Sequence, residues 1–140
     1  DKVLEDRTGV AITTIFELEG EQGFRQRETK ILRDLVSHKN AVIATGGGVV
    51  LVPENLNLIK QNGIVVYLQA SVNSQIKRTR HDKKRPLLQT QDRHATLQKL
   101  ANERNAIYEK ISDLVVDTNT QSISSSIEQI CTQVNSSKNS

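Results

Sequence analysis

The chain has 140 residues, 36% of them hydrophobic and 25% charged, with a formal net charge of +3; that is one domain's worth of polypeptide, able to bury a core. Two Tyr, two Phe and no Trp leave few rings to stack on unpaired bases, which argues against a single-strand nucleic-acid binder, and the small positive balance suits anionic small molecules. The single cysteine, Cys131, excludes an internal disulfide and fits a reducing compartment, and no apolar run approaches the length of a membrane span.

Helical and strand patterns alternate along the chain, the mark of a parallel sheet wrapped by helices. Thr14-Ile15-Phe16-Glu17 has capping-box spacing and reads as the start of a short helix. A longer helix follows, with Phe24, Glu28, Ile31, Leu32, Leu35 and Val36 on helical spacing. Ala41-Val42-Ile43-Ala44 reads as a buried strand over 41–45 that delivers its end into Gly46-Gly47-Gly48. Three residues without a Cβ let a backbone come within hydrogen-bonding distance of something small. In open α/β sheets, ligands bind beyond the carboxyl ends of the strands. The triplet is therefore read as a ligand loop rather than a turn, which one glycine would serve.

Pro53 suits the first turn of the next helix, and Asn62-Gly63 suits a left-handed helix end. Residues 64–68 form a second strand, and Ser71 caps a short basic helix carrying Ile76, Lys77 and Arg78. Residues 81–93, charged and containing Pro86, read as a mobile loop. Leu97, Leu100, Ala101, Ile107, Tyr108 and Ile111 mark a long helix, and Leu114-Val115-Val116 a third strand. Ile123, Ile127, Ile130 and Val134 mark a final helix, on whose apolar stripe Cys131 is expected to be core. The pattern predicts one domain over 1–134 and a polar, disordered tail over 135–140.

Some charges fall where apolar residues belong. Arg104 lies on the apolar stripe of its helix, and a buried guanidinium is costly unless it is paired. Arg25, next to Phe24, has Glu28 one turn later to hold it. Two arginines aimed at one crevice make a fork-shaped receptor for a carboxylate or phosphate. A basic run such as His81-Asp82-Lys83-Lys84-Arg85 usually means a solvated loop. Here Pro86-Leu87-Leu88 follows at once, and an exposed loop has no reason to keep those residues. A lid that closes on substrate does have a reason, because the leucines exclude water while Arg85 reaches developing charge.

The combination Arg7-Thr8-Gly9, Phe24-Arg25-x-x-Glu28, Thr45-Gly46-Gly47-Gly48, Arg85-Pro86-Leu87-Leu88, Arg104-x-x-x-Tyr108 and Asp117-Thr118-Asn119 closely resembles shikimate kinase, in order and with compatible spacing from Asp1 to about residue 134. The resemblance implies a P-loop NTPase fold of the nucleoside-monophosphate-kinase type, an α/β parallel sheet of order 2-3-1-4-5 flanked by helices. It implies ATP-dependent phosphorylation of the 3-hydroxyl of shikimate in chorismate and aromatic amino acid biosynthesis, by a cytoplasmic monomer using Mg²⁺, with no nucleic-acid or membrane partner.

By position, Asp1 resembles the aspartate that binds the substrate hydroxyls and helps orient or deprotonate the attacking one. Arg25 and Arg104 resemble the pair that grips the shikimate carboxylate, with Glu28 holding Arg25. Gly47 would offer its N–H to the substrate between Gly46 and Gly48. Phe16, Phe24, Pro86 and Leu87 match the apolar walls of the pocket. Arg85 resembles the lid arginine on the ATP phosphates, and Arg78 and Gln121 fall where the family flanks adenine.

Family members open with a strand, a phosphate loop of the type G-x-x-x-x-G-K-[ST], a helix and a second strand, and these 140 residues contain none of that. The resemblance implies that about thirty residues, one βαβ-sized unit, precede Asp1 and carry the main phosphate and Mg²⁺ ligands. The absent first strand belongs in the middle of the sheet. Strands 41–45 and 64–68 are therefore expected to lack the neighbour between them, and the 140 residues alone are expected to be inactive. Two alternatives stand beside the kinase: a non-catalytic carboxylate-binding module that has lost nucleotide binding, and a related small-molecule kinase of the gluconate type.

Overall fold

The computed structural model describes residues 1–80, 88 and 90–138. They fall into two compact units, the first built on Asp1–Gly63 and the second on the chain from Ile64 and from Asp92 onward.

In the first unit, helices α1 (Lys2–Thr8) and α3 (Pro53–Asn62) both pack on the long α2 (Ile12–Leu35). Helix α1 stops at Gly9, whose φ of 68° is left-handed, and the Gly9 N–H closes the helix on the Glu5 carbonyl at 2.8 Å. Leu4, Ile12, Ile15 and Phe24 form the core, with Phe16 and Ile31 packed against it. The expected capping box is not used. Helix α2 starts at Ile12, so Thr14 and Glu17 already lie inside it. Burial of Ile12 and Ile15 against Leu4 draws the start forward, and the Glu5 carboxylate accepts from the Ile12 N–H at 3.1 Å. The short helix and the longer one that the sequence presents run on from each other within α2, divided by a kink at Gly20, where φ 68° and ψ −175° suit only a residue without a Cβ.

Residues 41–45 are not a strand. A strand exists through its ladder, and among the described residues nothing pairs with this segment, whose Val42 is fully exposed. It leads into a 3₁₀ turn, Gly47–Leu51, which buries Val49 and Val50 and hands over to α3, with Pro53 at its first position as expected. Gly63 ends α3 in extended backbone, φ −178°, rather than in the left-handed conformation anticipated.

In the second unit, β1 (Val66–Gln69) and β2 (Leu114–Asp117) pair in parallel, Val66 opposite Leu114 and Gln69 opposite Asp117, with Val116 fully buried. Helix α4 (Val72–Thr79) is capped by Ser71, whose Oγ accepts from the Ser74 N–H. Helix α5 (Arg93–Ile111) is capped by Asp92, which accepts from the Ala95 N–H at 2.9 Å. Helices α4 and α5 pack together, and α6 (Ile123–Lys138) packs on β2.

Helix α6 corrects two expectations. It carries residues 135–138 as helix rather than as a disordered tail, and Cys131 is exposed rather than core. One short strand covers little of a four-turn helix. Ser126 is buried, while Ile123 and Ile127 on the apolar stripe stay 82% and 54% exposed.

Candidate active site

The first unit carries eight of the residues that the sequence singles out: Asp1, Phe16, Phe24, Arg25, Glu28, Gly46, Gly47 and Gly48. Arg25 and Glu28 face the same way from α2 because positions three apart share a helix face. Arg25 Nη1 donates to Glu28 Oε2 at 2.8 Å, with the two side chains 13% and 12% exposed. The guanidinium carbon lies 5.1 Å from the centre of the Phe24 ring, a cation–π contact. Phe24 in turn packs on Phe16, ring centres 4.7 Å apart.

The glycine loop closes on this pair. A Cβ at Gly48 would collide with the Arg25 guanidinium, and a Cβ at Gly46 would lie 3.6 Å from both Asp1 Oδ1 and Glu28 Oε1. Gly48 is thus a close-approach glycine, and Gly46 stands between two carboxylates. Gly47 is exposed at the start of the 3₁₀ turn. Asp1 sits at the N-cap position of α1 but makes no side-chain cap, so its exposed carboxylate is not committed to the helix. A cleft beside the loop is lined by Asp1, Leu4, Glu28, Ile31, Thr45 and Gly46.

Two further residues build this corner. Glu21, four residues before Arg25, accepts from Arg25 Nη2 at 3.2 Å, and that spacing was visible in the sequence. Asn55, fully buried, donates from Nδ2 to the Val49 carbonyl at 2.9 Å and so ties the 3₁₀ turn to α3. No sequence signal marks Asn55, since an Asn inside a helix ordinarily faces water.

In the second unit, Arg104 is 8% exposed on α5, as its place on the apolar stripe predicts. Its Nε is buried without a partner, and it makes no ion pair among the described residues. One turn along the same helix, Tyr108 packs on Tyr67, ring centres 4.9 Å apart. Burial pushes the Tyr67 hydroxyl above its ordinary range, and Tyr108 and Glu109 add to the shift. Arg78 at the end of α4 donates to Thr118 twice, to Oγ1 at 2.9 Å and to the carbonyl at 2.7 Å. Asp117 accepts from the Asn119 backbone N–H and side-chain amide at 2.8 and 2.6 Å, which holds its carboxyl below the usual range. Gln121 is exposed in the turn before α6. Arg85, Pro86 and Leu87 lie outside the described residues; Leu88, which ends that run, is buried.

A family model described as shikimate kinase matches residues 1–135. The shikimate kinase of Aliivibrio fischeri is 49% identical over 122 residues, covering 87% of this chain and 71% of that protein. The shikimate kinase of Thioalkalivibrio sulfidiphilus is 48% identical over 130 residues, 93% of this chain and 68% of that protein. Among solved structures, shikimate kinase from Acinetobacter baumannii in complex with shikimate superposes with a TM-score of 0.90 at 41% identity, covering 99% of this chain and 76% of that one.

Proposed function

The chain belongs to the shikimate kinase family, with its P-loop NTPase-like α/β fold, and from that premise we propose that it transfers the γ-phosphoryl group of ATP to the 3-hydroxyl of shikimate. The products are shikimate 3-phosphate and ADP, on the route to the aromatic amino acids. The observation that carries the reading is the Arg25–Glu28 pair at 2.8 Å, set against Gly48, which leaves no room for a side chain beside the guanidinium. A guanidinium so held offers a carboxylate a fixed, charge-assisted partner.

Each residue then has a role. Arg25 and Arg104 bind the substrate carboxylate, with Glu28 positioning Arg25. Asp1 accepts a hydrogen bond from the reacting hydroxyl and orients it, and the backbone of Gly46, Gly47 and Gly48 lies along the ring. Phe16, Phe24, Pro86 and Leu87 wall the pocket. Arg85 neutralises charge at the phosphates, and Arg78 and Gln121 flank the adenine. Phosphoryl transfer asks mainly for positioning and charge neutralisation, which such a set supplies. Mg²⁺ with the ATP is proposed from the family alone. Among the described residues no group of three or more His, Cys, Asp or Glu could hold a metal, and no step is routed through the ion. A cytoplasmic monomer is proposed on the same family ground.

The test is ADP release with shikimate, gluconate and nucleoside monophosphates as acceptors. Turnover confined to shikimate is expected. Turnover with gluconate favours the related small-molecule kinase, and shikimate binding without transfer favours the non-catalytic module. Arg104→Lys should raise the shikimate KM strongly while leaving the ATP KM nearly unchanged, since Lys cannot form the planar fork; equal losses for both ligands would remove Arg104 from the carboxylate site.

A further inference from the structure

Arg25 carries two carboxylates of unequal standing. Glu28, its side chain 12% exposed, takes Nη1 at 2.8 Å; Glu21 is 49% exposed and takes Nη2 at 3.2 Å. Nε is buried and has no partner. In a guanidinium, Nε–H and Nη2–H point the same way and form a fork that matches a carboxylate. Glu28 lies off that fork, on the other terminal nitrogen. One prong is therefore unused, and the other is held by a half-exposed side chain at the long end of hydrogen-bond range.

We propose that Glu21 is a displaceable counter-ion, which holds Arg25 until a substrate carboxylate docks on the Nε–Nη2 fork and drives Glu21 off to solvent. The proposal rests on the reading of Arg25 as a carboxylate ligand. Two anions cannot share Nη2 without like-charge repulsion, and Asp1 and Glu28 already border the glycine loop. Glu28 stays, because it is far less exposed than Glu21 and more closely bonded. Glu21 yields, because an exposed ion pair of this kind contributes little and its carboxylate regains water. Glu21 thereby tunes affinity for acids: it occupies Nη2 in the free enzyme and lowers the net gain on binding.

The test is equilibrium binding of shikimate and of its uncharged methyl ester to the intact enzyme and to Glu21→Gln, Glu21→Ala and Glu28→Gln. Both Glu21 variants should bind shikimate about threefold to fivefold more tightly and bind the ester as the wild type does. Glu28→Gln should bind shikimate more weakly. A gain shared equally by acid and ester, or unchanged or weaker shikimate binding in both Glu21 variants, overturns the proposal while leaving the kinase reading intact. A wild type that binds no shikimate overturns both. Glu21 is half-exposed and outside the core, so thermal unfolding of its variants should match the wild type.

Discussion

The guanidinium of Arg25 occupies the space that a side chain at Gly48 would need: a Cβ there would lie 2.5 Å from both Cζ and Nη1 of Arg25. The obstacle is the end of a flexible side chain, so the fold can yield, but only by moving the group that the site depends on. Gly48→Ala should therefore unfold at nearly the wild-type temperature while its shikimate KM rises about tenfold or more, since a displacement of about 1 Å in a positioning group is that costly. Steady-state kinetics beside a thermal melt check it; a large drop in stability with an unchanged KM would place the constraint in packing.

Arg104 makes the opposite trade. It is buried with an orphaned Nε and no ion pair among the described residues, and an unpaired buried charge costs the fold free energy that an apolar side chain of similar volume does not. Arg104→Met should hold or raise the unfolding temperature and lose shikimate binding. A clear loss of stability would mean that the guanidinium is satisfied by the fold rather than kept for a ligand.

Asn55 anchors the turn that carries the glycines. Asn55→Ala removes the bond to the Val49 carbonyl and leaves that acceptor buried and unpaired, at a cost of about 1–3 kcal/mol. Urea unfolding should show the loss. The shikimate KM should rise with it, because the 3₁₀ turn Gly47–Leu51 is held to α3 at that point.

Asp117 gives a pH signature. Its carboxyl is held low chiefly by the Asn119 backbone N–H, then by the Asn119 side chain, against a small opposing effect of burial, with Thr120 assisting. A depressed folded-state pKa means that the contribution to stability is present above the unfolded pKa and is lost as pH falls through the folded one. Carbon-detected NMR should place the Asp117 midpoint below that of an ordinary aspartate, and Asn119→Ala should move it upward. An unmoved midpoint would show that the Asn119 side chain has no part in the shift.

Much of this was written in local pattern. The apolar spacing of 97, 100, 101, 104, 107, 108 and 111 placed Arg104 on a buried face, and it is buried there. Ser71 caps α4 and Pro53 opens α3, because those residue types act within their own turn. Strands β1 and β2 were legible as short apolar runs, although β1 begins at Val66 and ends at Gln69 rather than spanning 64–68. The failures share a cause. Residues 41–45 have a strand's composition and no ladder among the described residues, and α6 has an apolar stripe that one four-residue strand leaves largely uncovered. In both, local pattern stated a demand for a neighbour, and only the packing reveals whether it is met.

The amino-acid order alone determined that Glu28 reaches Arg25, since residues three apart on a helix meet whatever surrounds them. It also determined the family, through motifs whose order and spacing survive without any coordinates. Tertiary structure alone decided that the glycine loop closes on that arginine, that Asn55 holds the turn, and that 41–45 goes unpaired among the described residues. Those contacts join segments far apart in the chain, and their geometry depends on how α2, α3 and the turn pack, which no local window encodes.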